Sequence, residues 1–421
     1  MKSVRVGIMG LGTVGQGVLR ILRDHGEALE HRSGVRFEIV RIFDRSFREK
    51  GDVIRDIPAS DNMEDVLGDP SIDIVAELLG GIEPAYTVVT RALAAGKDVV
   101  TANKALLARH GNELFELSHQ HSCEIAFEAA VAAALPVIKN LRRGLIANEI
   151  EALYGILNGT CNFIITRMQE DGLDYAAALR EAQVRGFAEA DPSFDVGGKD
   201  AAQKLAIISA LAFDTRINED AVLTEGIEHI RLVDHQIAAD LKCVIRLLAV
   251  ARRDPLQMRV HPVLIHEDHV LAHVRDERNA VFFATSNSGP QLLMGLGAGA
   301  RPTAAAVVSD LVFLARENPE TPEYWISGTK DPVIHHEYAY RFYLRFQTYD
   351  RPGVMADLAR ILAEENISIA SVSQKEGPEP VNVVVITHTT PEVPLRTAIK
   401  RIDALDTILA PTVAMPMELD L

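Results

Sequence analysis

Cysteine is scarce in this chain: three occur in 421 residues, Cys123, Cys161 and Cys243. Their spacing matches no zinc or cluster motif, and an odd, sparse count fits a reducing compartment. The fourteen histidines show no H-E-x-x-H spacing, which argues against a catalytic zinc. No apolar run reaches the roughly 18 uninterrupted residues that a membrane helix requires. The sequence MKSVRVGIMG starts directly on a strand pattern rather than on a leader peptide, so a soluble, cytoplasmic protein is expected. Positive charge is in deficit as well. Lys and Arg number 43 against 59 Asp and Glu, a formal net charge of −16. That balance disfavours nucleic acid and anionic membrane as partners, yet leaves room for a local basic pocket for phosphate.

What is present is ordinary globular composition, 48% hydrophobic and 24% charged, in a chain long enough for two or three domains. Residues 2–9, KSVRVGIM, read as a strand, and GLGTVGQGVLRIL after them as a glycine turn opening an amphipathic helix. A polar stretch at 26–36 precedes FEIVRIFD, a second strand ending at Asp44. DIVAELLGG (73–81), a helix-like PAYTVVTRALAAG (84–96), KDVVTANK (97–104), a helix near 105–120 and a strand EIAFEAAV (124–131) continue the alternation. This order predicts an α/β fold, a Rossmann-type doubly wound parallel sheet over residues 1–132.

From residue 133 the texture changes. Residues 133–295 are expected to form an α+β domain for catalysis and oligomerisation, with a helical tract over 200–252 and strands near 258–275. GLGAGARPTAAAVVSDLVFLA (295–315) reads as a glycine turn and an apolar helix, so residues 296–325 are expected to return to the first domain. The polar, proline-bearing residues 326–340 look like a linker. Residues 341–421 repeat β-α-β-β-α-β with a short final strand, the ferredoxin-like plan.

GLGTVG places Gly10, Gly12 and Gly15 in a G-x-G-x-x-G pattern after a strand and before a helix. In that context Gly10 allows the turn, Gly12 the approach of a pyrophosphate, and Gly15 close helix packing. The helix start supplies N–H groups and positive dipole to the anion. The alternative is a glycine-rich turn without a ligand. Asp44 ends a strand where an acid takes a ribose hydroxyl, whereas Arg45 beside it suits a 2′-phosphate, so NAD and NADP both stay open. Lys104 follows a strand at the binding edge of the sheet. It can hold an anionic group or polarise a carbonyl, or it can be a surface lysine at a helix start.

EADPSFDVGGKDAAQKL (189–205) is dense in charge. Asp191 is pushed extended by Pro192, Gly197 and Gly198 free the backbone, and a helix is expected from about 199. Asp200 and Lys204 then share a helix face with Ile207, Ile208 and Leu211. A lysine heading an apolar stripe has its charged form disfavoured, which makes it a usable acid. The alternative is an exposed helical ion pair. Glu128, in FEAAVAAALPVI, lies among small apolar residues and needs a base, backbone N–H groups or a cation as partner. Cys161, in NGTCNFI, has no adjacent base and reads as a core or pocket residue.

GLGTVG, VVTANKALLA, FEAAVAAALPVIKNL, GILNGTCNFI, GFAEADPSFDVGGKDAAQKLAI and GAGARPTAAAVVSDL, in this order over residues 6–315, resemble the long, monofunctional homoserine dehydrogenases. DRPGVMADLARILAEENISIASV resembles an ACT domain, a small amino-acid-sensing module. The resemblance implies NAD(P)-dependent interconversion of L-homoserine and L-aspartate 4-semialdehyde, on the route to threonine and methionine. It implies that Lys204 donates the proton to the developing alkoxide, with Asp200 and Lys104 also in the catalytic set. Glu189, Asp195 and Asp200 would bind substrate, Glu189 by its amino group, and Lys104 would touch cofactor and substrate. Gly10, Leu11, Gly12, Thr13, Val14, Gly15, Asp44, Arg45, Gly186 and Gly299 would surround the dinucleotide. A monovalent cation, sodium, would be held by Glu128 and the carbonyls of Val131, Ala133 and Leu135. Threonine is the implied effector of the ACT domain, and a homodimer or homotetramer the implied assembly. Two departures stand out: Ala132-Ala133-Ala134 where that family usually has A-G-G, and GTCN for G-T-T-N.

Two other readings compete. A different amino-acid-pathway dehydrogenase with an ACT domain would call for a catalytic histidine paired with an acid, and leaves the 189–204 signature unexplained. A non-enzymatic amino-acid-responsive protein would have lost Lys204 or the glycine fingerprint, and both are present.

Overall fold

The computed structural model of the chain describes residues 2–316, 331, 333, 335, 338–374 and 377–419. Its contacts divide it into two units: Met1–Leu157 with Ala202–Val222 and Asn279–Pro332, and Asn158–Ala201 with Leu223–Arg278 and Val333–Leu421. The division falls inside the helix Lys199–Phe213.

In the first unit, six parallel strands lie in the order Ala59–Ser60, Val35–Phe43, Lys2–Met9, Ile74–Glu77, Asp98–Thr101, Ile125–Ala126. The central strands bury both faces, which is why IVAE and the second half of KSVRVGIM read as continuous runs rather than alternations. Strand order reverses between Lys2–Met9 and Ile74–Glu77, and ligands bind at the carboxyl ends of strands at such a switch. The polar residues expected as a break at 26–36 instead prolong the first helix, Thr13–Ser33, which Gly34 ends at φ 75°. Polar side chains on a solvent face do not stop a helix, and the left-handed glycine does. The helix Ala300–Arg316 packs on this one so closely that a Cβ on Gly17 would lie 2.8 Å from the Cβ of Ala304.

The expected strand 124–131 is confined to Ile125–Ala126, and a 3-10 turn follows at Glu128–Ala130. The chain bends there because the Glu128 carboxylate accepts hydrogen bonds from the backbone N–H groups of Ile138 and Lys139. Outside that parallel sheet, Ile150–Ile156, Arg278–Thr285 and Gln291–Leu296 lie side by side.

In the second unit, six strands lie in the order Cys243–Arg252, Gln257–His266, Ile408–Glu418, Ala339–Thr348, Val381–Thr387, Ile369–Gln374, with the short strands Leu223–Thr224 and Thr390–Pro391 paired at Gln257–His266 and Ala339–Thr348. The helical tract expected over 200–252 breaks into the helices Lys199–Phe213 and Leu232–Asp240, and Cys243–Arg252 is a strand. CVIRLLAVAR is a nearly unbroken apolar run, and periodicity alone does not separate a buried strand from a buried helix. Its antiparallel ladder with Gln257–His266 decides the matter. The last four strands, with the helices Val354–Glu364 and Glu392–Asp403 over Phe342, Leu344 and Phe346, make the ferredoxin-like βαββαβ plan. Its final strand is long rather than short, because Met417 and Glu418 continue into a pairing with Leu264 and Ile265.

Most of the expected linker 326–340, and residues 317–325 of the returning segment, lie outside the described residues. Among the described residues no helix is long and apolar enough to cross a membrane.

Candidate active site

The first strand ends at Met9, and Gly10 follows at φ 103°, a conformation that favours glycine. A Cβ there would lie 2.7 Å from Leu78 O, and one on Gly15 would lie 2.3 Å from Gly10 O. Gly12 has open space where its Cβ would be, which leaves its backbone approachable. No side chain caps the helix that starts at Thr13, so its first N–H groups are available to an anion. Leu11 is buried, and its N–H donates to Asp44 Oδ2 at 2.7 Å.

Asp44 therefore has structural partners before any ribose arrives. Its Oδ1 accepts from Ser46 N, Ser46 Oγ and Lys50 Nζ at 2.7–2.9 Å. Burial alone would raise its pKa, but the bonds from Lys50, Leu11 and Ser46 outweigh burial and hold it below the usual carboxylate range. Arg45 beside it is exposed and, with Asp44, Ser46, Leu79, Gly80 and Glu83, lines a cleft of about 340 Å³.

Lys104 opens the helix Lys104–Gln120, capped by Asn103, whose side chain accepts from Leu106 N and donates to Gly81 O. Near it lies an acid that sequence reasoning missed. Glu77 closes its strand fully buried, accepting from Leu79 N at 2.7 Å and from Thr101 Oγ1 at 2.6 Å. Burial pushes its pKa up to about 7 against those two hydrogen bonds. The signal was available as a lone acid inside the apolar run DIVAELL.

Glu128 is buried, with its two oxygens on Ile138 N and Lys139 N at 2.8 and 2.9 Å. Its own N–H donates to Asp310, whose other oxygen lies 2.7 Å from Lys139 Nζ. Burial, then the charge of Asp310, raise the Glu128 pKa to about 7. Two buried carboxylates thus share one lysine. Ala132 and Ala133 follow at φ 53° and 31°, the left-handed region that alanine disfavours. A hard cation with oxygen ligands fits this donor set, because it would balance the second carboxylate. Gly299 at φ 124° precedes the helix Ala300–Arg316.

Lys204, on the helix Lys199–Phe213, is buried at 9% exposure. Its Nζ donates to Leu157 O at 2.8 Å, an oxygen that also accepts from Asn279 Nδ2 at 2.9 Å. Asp200, one turn earlier on the helix, is 4% exposed. The exposed ion pair considered from sequence is thereby excluded.

In the second unit, Asn158 gathers carboxylates. It caps the helix Gly159–Asp171 by accepting from Cys161 N, and its Nδ2 donates to Asp195 Oδ1 at 2.7 Å and Asp200 Oδ2 at 2.8 Å. The amide's acceptor and both its hydrogens are committed. Cys161 is buried, with Sγ 3.1 Å from Asp195 O. Glu189 is exposed and stands outside the set that Asn158 gathers; its backbone carbonyl accepts from Gln183. Gly186, at φ 77° and exposed, lies on the same loop. The role of Asn158 escaped sequence reasoning.

Three comparisons with known proteins bear on this arrangement. Residues 136–312 match the homoserine dehydrogenase family, residues 10–128 the homoserine dehydrogenase NAD-binding domain, and residues 342–407 the ACT domain. A homoserine dehydrogenase of Pseudomonas aeruginosa is 42% identical over 434 aligned residues, covering 99% of each chain. The crystal structure of a homoserine dehydrogenase from Thiobacillus denitrificans superposes with a TM-score of 0.93 at 42% identity, again over 99% of each chain. A hyperthermophilic archaeal homoserine dehydrogenase in complex with NADPH is 26% identical with a TM-score of 0.65, over 76% of this chain and 99% of that one.

Proposed function

The chain belongs to the homoserine dehydrogenase family, and from that premise we propose that Lys204 is the proton donor of its reaction. The chain is an NAD(P)-dependent oxidoreductase that interconverts L-homoserine and L-aspartate 4-semialdehyde, and it carries a C-terminal ACT domain. When bound, the nicotinamide cofactor supplies the hydride. As the aldehyde is reduced, negative charge grows on its oxygen, and a positioned ammonium stabilises that charge and then gives up a proton. The observation that carries this role is the position of Lys204: buried on the helix that also carries Asp200, with its ammonium held at Leu157 O. Asp195 and Asp200, held by the Asn158 amide, suit the substrate's α-ammonium, and the exposed loop acid Glu189 is assigned to grip the same group.

Gly10, Leu11, Gly12, Thr13, Val14 and Gly15 are assigned to the pyrophosphate, with Lys104, Gly186 and Gly299 toward the nicotinamide end. Asp44 already accepts four hydrogen bonds while Arg45 lines an open cleft, which favours NADP over NAD. Sodium is assigned to Glu128 and the carbonyls of Val131, Ala133 and Leu135, supported by the buried acid pair at Glu128 and Asp310. The edge strand Gln291–Leu296 exposes Leu292, Met294 and Leu296 on one face, which supports assembly into a homo-oligomer. The ACT domain is assigned a response to an amino acid, threonine first. The domain limits 1–132 with 296–325, 133–295 and 341–421 belong to the same proposal.

The test is direct. Pure protein is mixed with L-aspartate 4-semialdehyde and NADPH or NADH, and loss of reduced-nicotinamide absorbance is followed. Faster turnover with NADPH is expected, and absence of turnover with both cofactors would sink the reading.

A further inference from the structure

A lysine ammonium sits on a flexible four-carbon stem, so its use as a proton donor depends on what fixes its end. Lys204 Nζ meets Leu157 O at 2.8 Å, and the same oxygen accepts from Asn279 Nδ2 at 2.9 Å. A carbonyl oxygen has two lone pairs, and here the ammonium takes one and the amide the other. Leu157, Lys204 and Asn279 all belong to the first unit.

Leu157 follows the strand Ile150–Ile156, which runs antiparallel to Arg278–Thr285. Their pairing ends with Ala280 opposite Ile156, one step before Asn279 would face Leu157. At that step a side-chain amide bonds to the Leu157 carbonyl. Chemistry fixes which way the amide points. Turned over, Asn279 would set its oxygen against the Leu157 oxygen, two acceptors with no hydrogen between them.

Packing alone does not call for this amide. Asn279 is 1% exposed, and its Oδ1 has no hydrogen-bond partner among the described residues. A buried amide oxygen left unpaired is destabilising, and a leucine of similar shape would avoid that. Gly297 points the same way. A Cβ there would fall 2.0–2.3 Å from Cγ, Nδ2 and Oδ1 of Asn279, so the amide fills the space of a side chain at 297. The chain thus forgoes a side chain at one position and a hydrogen bond at another, and keeps the amide on Leu157 O.

We propose that Asn279 is a positioning residue of the reaction: it fixes the Leu157 carbonyl, and through it the direction from which the Lys204 ammonium reaches the substrate oxygen. Gly297 is its steric counterpart, the gap that the amide needs. Asn279 acts through Leu157 and Lys204 rather than on the substrate. Without the amide the carbonyl loses one of these two donors and the ammonium moves with it. Displacement of a reacting group by about 1 Å costs up to about 10²-fold in rate. The proposal rests on the reading that Lys204 is the proton donor.

The experiment uses the full chain and compares wild type, Asn279→Leu, Lys204→Ala and the double variant in reducing L-aspartate 4-semialdehyde with NADPH. Asn279→Leu stays close to the native shape and removes the donor together with the unpaired oxygen. Its melting temperature should stay within a few degrees of wild type, with cofactor affinity and KM nearly unchanged. Its kcat should fall about 10- to 100-fold. The ratio of kcat in water to kcat in heavy water should rise, because a misplaced donor makes proton transfer limiting. In the Lys204→Ala background the same substitution should lower the rate no further, since the two residues act as a unit. Asn279→Ala gives the same comparison if the leucine variant does not fold. An unchanged kcat, an equal loss in both backgrounds, or a loss with no rise in the solvent effect overturns the proposal and leaves the role of Lys204 standing. Near-wild-type turnover of Lys204→Ala removes the reading beneath it, and both fall.

Discussion

The parallel sheet of the first unit and the Asn158 cluster of the second deliver acids by opposite means. In the sheet, strand direction brings Asp44, Glu77 and Thr101 to one edge, and a backbone ladder holds each strand end whatever its side chain does. In the cluster, Asp195 and Asp200 come from a short helix and a helix start, and one amide bonds to both. A sheet edge takes its support from backbone pairing; the cluster draws on a side-chain amide shared by two acids. Substitutions at the two places should therefore fail differently.

Lys204→Ala should show the largest effect, a fall in kcat of about 10²–10⁴ with dinucleotide affinity nearly unchanged, since proton donation is lost and the glycine turn is untouched. Steady-state rates and cofactor fluorescence titration check it; an equal loss of cofactor affinity would mean that Lys204 has another role. Asn158→Ala should lower kcat/KM roughly 10- to 100-fold, because hydrogen bonds to charged groups are worth about 1.5–3 kcal/mol. Thr101→Val, which removes one hydrogen bond from Glu77, should change kcat/KM far less. If Thr101→Val proves as damaging as Asn158→Ala, the contrast between backbone-borne and side-chain-borne support is lost.

Glu77→Gln tests the sheet edge through stability. The acid is raised from 4.5 to about 7, so the native chain holds its proton more tightly than the unfolded one. Its contribution is fully present below the unfolded value and is lost as pH rises through the folded one. The wild type should therefore lose more melting temperature between pH 5 and pH 8 than Glu77→Gln, by a few degrees. Identical slopes would contradict the buried position. The smallest effect is expected from Ala133→Gly, which relieves a left-handed alanine and should stabilise by roughly 0.5–1 kcal/mol, read as a small rise in melting temperature.

The same contrast governs what could be read from sequence. The glycine turn, the strand ends and the register of Asp200 and Lys204 were legible because each rests on spacing within one element or at its end. Asp44 was placed at its strand end, but its saturation by Leu11, Ser46 and Lys50 was not visible, since Leu11 lies 33 residues away. Asn158 was quoted within NGTCNFI, yet nothing local tells that its amide meets Asp195 and Asp200 rather than solvent. Cys243–Arg252 was taken for helix because a nearly unbroken apolar run carries no clear period, and only its pairing decides. The ferredoxin-like order emerged since its strands and helices follow one another in sequence over a single core.

The two hydrogen bonds of Asn158 close chain segments of 37 and 42 residues. In entropy these closures are almost one event: the logarithmic dependence on length separates them by only about 0.1 kcal/mol. Once the chain has met Asp195, reaching Asp200 adds almost no further ordering. The two acids are therefore acquired together, late, after non-local contacts form.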